Sequence, residues 1–277
     1  MSLFVCPICA SPLTRGERSY TCPRGHSFDI AREGYVHLLP ANHRHSASPG
    51  DDKGMSQARG RFLAAGYYAP LRQALEDLAL AHTGQDPAVL DAGCGEGYYT
   101  AGIWRALSQA GRSPRLAGVD LSKPSVRRCA RQVPQGEIAV ASVYHLPVGT
   151  GQLDLLLNCF SPLAIEEFCR VLRPGGTFVY VVPGADHLWQ LKQVLYERPY
   201  RNKEQSIPYE GFAEEGVIPV DLELELPGDA LRDLFQMTPY FWKTPRAGAQ
   251  RLDALDHLRV TASFRIHQFQ RIALTGE

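Results

Sequence analysis

Val89–Thr100, VLDAGCGEGYYT, is the stretch whose reading decides the fold. A short apolar strand meets an acid and then glycines at Gly93, Gly95 and Gly97, in a tight turn that opens a helix. Glycine at these places lets the backbone turn sharply and lets a ligand lie on the main chain, with a helix N-terminus pointing at it. The spacing selects the ligand. A dinucleotide loop reads G-x-G-x-x-G and seats a pyrophosphate on the helix end, whereas this run is G-x-G-x-G with Asp91 two residues ahead. An acid facing the pocket repels phosphate and suits an ammonium group. Asp120 ends the next apolar run, LAGVD, roughly twenty residues beyond the loop, where a carboxylate can accept both hydroxyls of a ribose.

A ligand with a ribose, no phosphate and a cationic amino-acid tail is S-adenosylmethionine. The run D-A-G-C-G-E-G with its second acid resembles the class I methyltransferases; for the loop alone, NAD binding or a ligand-free glycine turn remain as alternatives. Cys94, inside the loop, reads as a small packing residue rather than a nucleophile, because no basic partner is evident.

Around the loop, strand signals recur at Leu116–Asp120, Glu137–Ala141, Leu153–Phe160 and Thr177–Val182, with helical intervals near Ser122–Gln132 and Leu163–Leu172. A further helix behind Pro70, with Leu71, Ala74, Leu75, Leu78 and Ala79 at helical spacing, leads into Val89. Such alternation predicts an α/β fold with a doubly wound, parallel sheet, and the class I resemblance implies the mostly parallel, seven-stranded sheet of S-adenosylmethionine (SAM) methyltransferases. Arg173-Pro174-Gly175-Gly176 resembles the family's turn before the fifth strand. Leu222–Leu226 and Val260–Gln270 alternate apolar with polar and predict half-exposed strands, the last antiparallel at the sheet's end. Ligands of open sheets lie beyond the carboxyl ends of the strands, which gathers Asp91–Gly97, Asp120 with Leu121, Ala141–Pro147 and Asn158–Pro162. The segment Ala141–Pro147 resembles the family's adenine loop, which implies polar contacts from Ser142 and an apolar wall from Leu146.

At 277 residues the chain exceeds one average domain. The first forty residues predict a separate module. Cys6-Pro7-Ile8-Cys9 is followed after twelve residues by Cys22 and after three more by His26. Three thiolates and one imidazole complete a tetrahedral zinc shell, and four protein ligands leave no open position, so the metal reads as structural. Arg15, Arg18, Arg24 and Arg32 stand among Tyr20, Phe28 and Tyr35, which suits phosphate contact and base stacking in unpaired RNA, or else a solvated surface over a mini-core. The predicted division is a zinc-binding RNA-recognition module at 1–40, a linker at 41–56 and a methyltransferase domain at 57–277. His43, Arg44 and His45 in the linker could touch RNA.

Charge sums to zero but is uneven. Residues 1–135 carry 16 Lys and Arg against 11 Asp and Glu, and residues 136–277 carry 13 against 18, so a polyanion should meet the front. No apolar stretch approaches the roughly 20 residues of a membrane span, and the first ten residues lack signal-peptide character. The chain is expected in the cytoplasm, where seven cysteines serve better as ligands and core fillers than as disulfides.

Nearly end to end, the chain resembles the RlmA-type 23S rRNA (guanine-N1)-methyltransferases. The shared runs include C-P-x-C, C-P-x-x-H-x-F-D, Ala31–Val36, Leu38-Leu39-Pro40, Pro49-Gly50-Asp51, Gln57-Ala58-Arg59, Gly66 with Tyr68, the glycine loop, Pro183-Gly184 with His187-Leu188, and Gln236–Pro239. The resemblance implies that Tyr68, Gly95, Glu96 and His187 contact SAM. It also implies transfer to guanine N1 in a hairpin of 23S rRNA, by a homodimer, with two neighbouring guanines as possible targets and macrolide resistance linked to one of them. No catalytic residue is assigned: Asn158–Pro162 stands where amino-methylating relatives keep a paired-proline loop, and it lacks that pair. A small-molecule or protein methyltransferase with a zinc scaffold, and a non-catalytic RNA-binding protein, are the rival readings.

Overall fold

The computed structural model describes residues 2–40, 53–204 and 208–273; His43, Arg44 and His45 lie outside them. The N-terminal segment forms three short strands, β1 (Thr14–Arg15), β2 (Ser19–Thr21) and β3 (Ser27–Asp29), paired in a small antiparallel sheet, followed by β4 (Tyr35–His37). Then come α1 (Lys53–Ala64), α2 (Ala69–His82), β5 (Ala88–Ala92), α3 (Tyr98–Gln109), β6 (Arg115–Asp120), α4 (Lys123–Gln132) and β7 (Glu137–Val140). The second half holds β8 (Leu153–Cys159), α5 (Ile165–Val171), β9 (Leu172–Pro183), α6 (Trp189–Leu195), β10 (Phe212–Pro227), α7 (Gly228–Gln236), α8 (Tyr240–Lys243), α9 (Arg246–Asp253) and β11 (His257–Arg271).

Seven strands of the later chain build the expected sheet, and β4 adds an eighth, in the order β10-β11-β9-β8-β5-β6-β7-β4. Pairing is parallel from β4 through to β9, and β11 is antiparallel to both its neighbours. The winding reverses at β5, which has β6 on one side and β8 on the other, so the ligand crevice opens above the ends of these strands. One expectation needs correction: β11 is not at the end of the sheet. It pairs with β9 on one side and β10 on the other, its Phe264, Ile266 and Phe269 are fully or almost fully buried, and β10 with its outward acids takes the edge.

The expected turn at Arg173–Gly176 sits inside β9, where partners slip from Leu153↔Leu172 to Leu155↔Thr177 and Gly175 adopts φ 78°. Period-two alternation sends Val89, Leu155 and Leu157 to one face, against α2, α3, α6 and α7, and Ala88, Leu90 and Leu156 to the other.

That second face explains the N-terminal module. Leu3, Phe4, Leu13 and Tyr20 are buried in the same cluster as Leu90, Ala139, Val148 and Phe178, so the module covers one face of the sheet instead of standing apart. Glu137, at the start of β7, fastens it. Its carboxylate accepts the N–H of Leu3 at 3.0 Å, the hydroxyl of Tyr20 at 3.3 Å and that of Ser2. Tyr20 and Tyr35 are therefore core residues and not stacking platforms, whereas Arg15, Arg18, Arg24 and Arg32 are exposed. A segment this short has too little apolar surface to fold alone; here metal and sheet supply the rest.

Candidate active site

The crevice above β5, β6 and β8 is a cavity of about 570 Å³. The glycine loop forms its floor with Gly93, Cys94, Gly95 and Glu96; Asp120 and Leu121 stand at the end of β6, and Cys159–Pro162 follow β8. Tyr68, Pro183, His187 and Phe264 close one side. Three glycines hold left-handed φ values, 92° at Gly93, 51° at Gly95 and 89° at Gly97, which fixes the loop's course. At Gly93 a Cβ would lie 2.2 Å from Ser161 Oγ, so the loops after β5 and β8 press directly on each other.

Asp120 works in two directions. Oδ2 accepts the N–H of Gly95 at 3.1 Å and Oδ1 that of Ser122 at 2.7 Å, which clamps the glycine loop to the end of β6 at the cavity. Asp91 lies beneath the loop, not on the cavity wall. Thr100 Oγ1 donates to its Oδ2 at 2.6 Å, while Oδ1 has no hydrogen-bond partner among the described residues. Burial pushes the Asp91 carboxyl up to about 6, against the Thr100 hydrogen bond and with help from Asp120. Glu96 is 4% exposed, and its Oε1 likewise has no partner among the described residues. Two buried acids, each with an oxygen that has no partner among the described residues, fit a cationic nucleoside in the neighbouring apolar cavity. SAM would rest on Gly93–Glu96, with its ribose at Asp120.

Burial holds His187 down at about 3, so its ring is neutral at physiological pH; it packs on Phe264 with centroids 4.8 Å apart, and Nδ1 has no partner among the described residues. Tyr68, also buried, meets Phe264 edge-on at 4.9 Å. Gly97 caps α3 and packs on Cys129. The loop after β7 corrects the sequence reading. Ala141, Val143 and Tyr144 line the cavity, while Ser142 accepts the N–H of Tyr144 at 3.2 Å and Leu146 is buried, its N–H donating to Glu167. The loop continues the strand's alternation, so Ser142 faces away between two cavity residues.

Sequence reasoning missed the opposite wall. Met55, Arg59 and Leu63 of α1, Met237–Tyr240, Tyr98 and Tyr99 all line the cavity. Gln57-Ala58-Arg59 and Gln236–Pro239 stood out as shared runs, but nothing in the sequence brings them together. The structure does so: Arg61 pairs with Asp233 at 2.5 Å, and Trp242 Nε1 donates to Met55 Sδ at 3.2 Å.

In the N-terminal module the ligand atoms of Cys6, Cys9, Cys22 and His26 lie within 4.8 Å of one another. Cys9 and Cys22 sulfurs are 3.7 Å apart, and His26 Nδ1 is 3.5 Å from Cys6 Sγ and 3.4 Å from Cys22 Sγ. A tetrahedron with Zn–S bonds of about 2.3 Å and Zn–N of about 2.0 Å has edges of roughly 3.5–3.8 Å, and these three distances are close to that range.

A zinc ribbon joined to a glycine-loop α/β sheet with this cavity defines a class I, SAM-dependent methyltransferase. The zinc-ribbon family described as "RlmA, N-terminal" matches residues 4–47, and the "Methyltransferase domain" family matches residues 89–176. A 23S rRNA (guanine(748)-N(1))-methyltransferase of Streptomyces fradiae is 37% identical over 260 residues, covering 90% of each chain. A Bacillus subtilis protein proposed to be a 23S rRNA (guanine-N(1)-)-methyltransferase is 31% identical, covering 94% of each. Among solved structures, a methyltransferase candidate of Bacillus halodurans shares the fold, with TM-score 0.50 and 11% identity over 73% of this chain and 99% of that one. The chain belongs to the 23S rRNA (guanine-N1)-methyltransferase family. No helix among the described residues is long and apolar enough to cross a membrane.

Proposed function

We propose that the protein transfers a methyl group from SAM to N1 of a guanine in a hairpin of 23S rRNA, and that the guanine is the one modified by the Streptomyces fradiae relative, position 748. The observation that carries this reading is the coupling of two parts: the nucleoside cavity opens past exposed Phe160 and Tyr144, and the zinc module with its exposed arginines is welded to the same sheet. Tyr68, Glu96, Asp120 and His187 are proposed to hold the cofactor, with the glycine loop beneath it. Bound SAM supplies a methyl group already activated as a sulfonium. The chain's own work is orientation: the tight fit of Gly93 against Ser161 fixes the loop after β8 over the cofactor site, and the apolar walls keep water out. Transfer to N1 would leave the sulfur with the bonding pair as a neutral thioether and would pass the N1 proton to solvent.

Phe160 is proposed as the platform for the guanine. It is 47% exposed at the cavity mouth with a left-handed φ of 57°, a conformation that a bulky side chain keeps only when its surroundings impose it. A paired base cannot reach such a cavity, so the target must sit in a loop or flip out of its stack. We further infer a homodimer, with the exposed arginines of two modules framing the RNA, working in the cytoplasm.

Primer extension tests the assignment, because a methylated N1 cannot pair and stops the polymerase. Unmodified 23S rRNA incubated with the protein and SAM should acquire one new stop at guanine 748. Activity should fall steeply with added salt, as phosphate contacts dictate. Methyl transfer to a small molecule or protein, unaffected by salt, would replace this reading; cofactor binding without transfer to 23S rRNA would leave a binding protein.

A further inference from the structure

We propose that Arg59 takes the α-carboxylate of the cofactor's amino-acid tail, exchanging its ion pair with Glu96 for a shared one with that tail. The inference rests on the reading of the cavity as a SAM site. The tail is a zwitterion, carrying an ammonium and a carboxylate on one carbon, so its seat needs an anion and a cation side by side. The cavity has such a pair. Arg59 Nη1, from α1, stands 3.9 Å from Glu96 Oε2 on the glycine loop, and both residues line the cavity.

The spacing matters. A charge-assisted hydrogen bond closes to about 2.7–2.9 Å, so the pair at 3.9 Å is a loose one, longer than a direct hydrogen bond. Glu96 Oε1, at 4% exposure of the residue, has no partner among the described residues and is a buried acceptor that an ammonium would satisfy. Among the described cavity-lining residues Arg59 is the only Lys or Arg, and His187 stays neutral there, so no other lining side chain offers a positive charge to a carboxylate.

Helix α1 is placed for the task by its own contacts. Arg128 on α4 donates to the Ser56 carbonyl at 2.9 Å, one turn before Arg59, and Arg59 Nη2 lies 3.5 Å from the Met237 carbonyl on the opposite wall. The guanidinium fork can therefore keep one arm on the wall while the other meets the tail.

Titration calorimetry on the full, zinc-loaded chain separates the tail from the nucleoside. S-adenosylhomocysteine carries the tail, and methylthioadenosine lacks it. Arg59→Gln should weaken S-adenosylhomocysteine about tenfold or more, matching the loss of a charged hydrogen bond, while methylthioadenosine stays within about twofold. Arg59→Lys should fall between, keeping the charge but losing the fork. Unchanged binding of S-adenosylhomocysteine, or an equal loss for both ligands, would overturn the assignment. A wild-type chain that binds neither nucleoside would remove the cofactor site itself.

Discussion

Thr100 Oγ1 sits 2.6 Å from Asp91 Oδ2, and it is the only side chain that satisfies this buried carboxylate among the described residues. The helix that follows the glycine loop thus reaches back to hold the acid that precedes it, so one hydrogen bond ties strand, loop and helix together. It does not offset burial, which lifts the carboxyl to about 6.

The raised value gives a pH dependence with a definite sign. A folded-state pKa above the unfolded one, about 3.9, means that the native state keeps its proton longer, so the stability from this group is complete below about pH 4 and is lost as pH rises through about 6. At neutral pH the ionised Asp91 costs the cofactor-free protein on the order of 3 kcal/mol. Asp91→Asn should raise the midpoint of thermal unfolding at pH 7.5 and flatten its change between pH 4 and 6. The same substitution should weaken SAM about tenfold and abolish the tightening of wild-type binding as pH rises from 5 to 7. A variant that is less stable at pH 7.5, or that binds SAM as the wild type does, would sink the argument.

The zinc module should not be separable from the sheet. Glu137→Ala leaves the Leu3 N–H and the Tyr20 hydroxyl, both in fully or nearly fully buried residues, without their acceptor, at about 2–4 kcal/mol. Chelation of zinc should act on the same joint, lowering the unfolding midpoint by roughly 5–10 °C and speeding amide exchange in β7 as well as in β2. Exchange confined to residues of the first three strands would show instead that the module is an independent unit.

Gly93 and Ser161 bring the loops after β5 and β8 so close that there is no space for a Cβ at Gly93. In Gly93→Ala the new Cβ meets Ser161 Oγ at 2.2 Å and Ser161 Cβ at 2.3 Å, at a φ of 92° that L residues rarely adopt. Overpacking and strain together should cost about 2–4 kcal/mol in denaturant unfolding. Ser161→Gly in the same chain should return the overpacking share and leave the strain. Full additivity of the two substitutions would deny the contact.

How far the sequence reached follows from the kind of signal. The glycine loop and the Cys6–His26 spacing are local, and the structure brings both sets of residues together. Strands β5 to β8 are apolar runs buried on both faces, so their limits were readable to within a residue or two. Strand β10 was legible only at Leu222–Leu226, because Glu214 and Glu215 face outward and Gly216 and Pro219 read as breakers; the bulge at Glu214/Gly216 shows that they bend an edge strand without ending it. Strand β4 has three residues and no period, and only its pairing with β7 reveals it. Arg59 and Met237 are 178 positions apart, and their meeting across the cavity is a product of tertiary packing alone.

Phe160 offers a test that separates stability from activity. Its left-handed backbone costs about 1–2 kcal/mol for a residue with a Cβ, and its ring reaches Phe264 at 5.5 Å while staying half exposed. Phe160→Gly relieves the backbone but gives up the buried half of the ring, two effects of similar size and opposite sign, so the unfolding midpoint should move by no more than a few degrees. If the ring is the guanine platform, its removal should cut single-turnover methyl transfer by roughly tenfold to a hundredfold, the worth of one base–aromatic stack, while S-adenosylhomocysteine binds within about twofold of wild type. Phe160→Tyr, which keeps the aromatic face, should retain most of the rate. A glycine variant that transfers methyl groups at the wild-type rate would place the guanine elsewhere in the cavity.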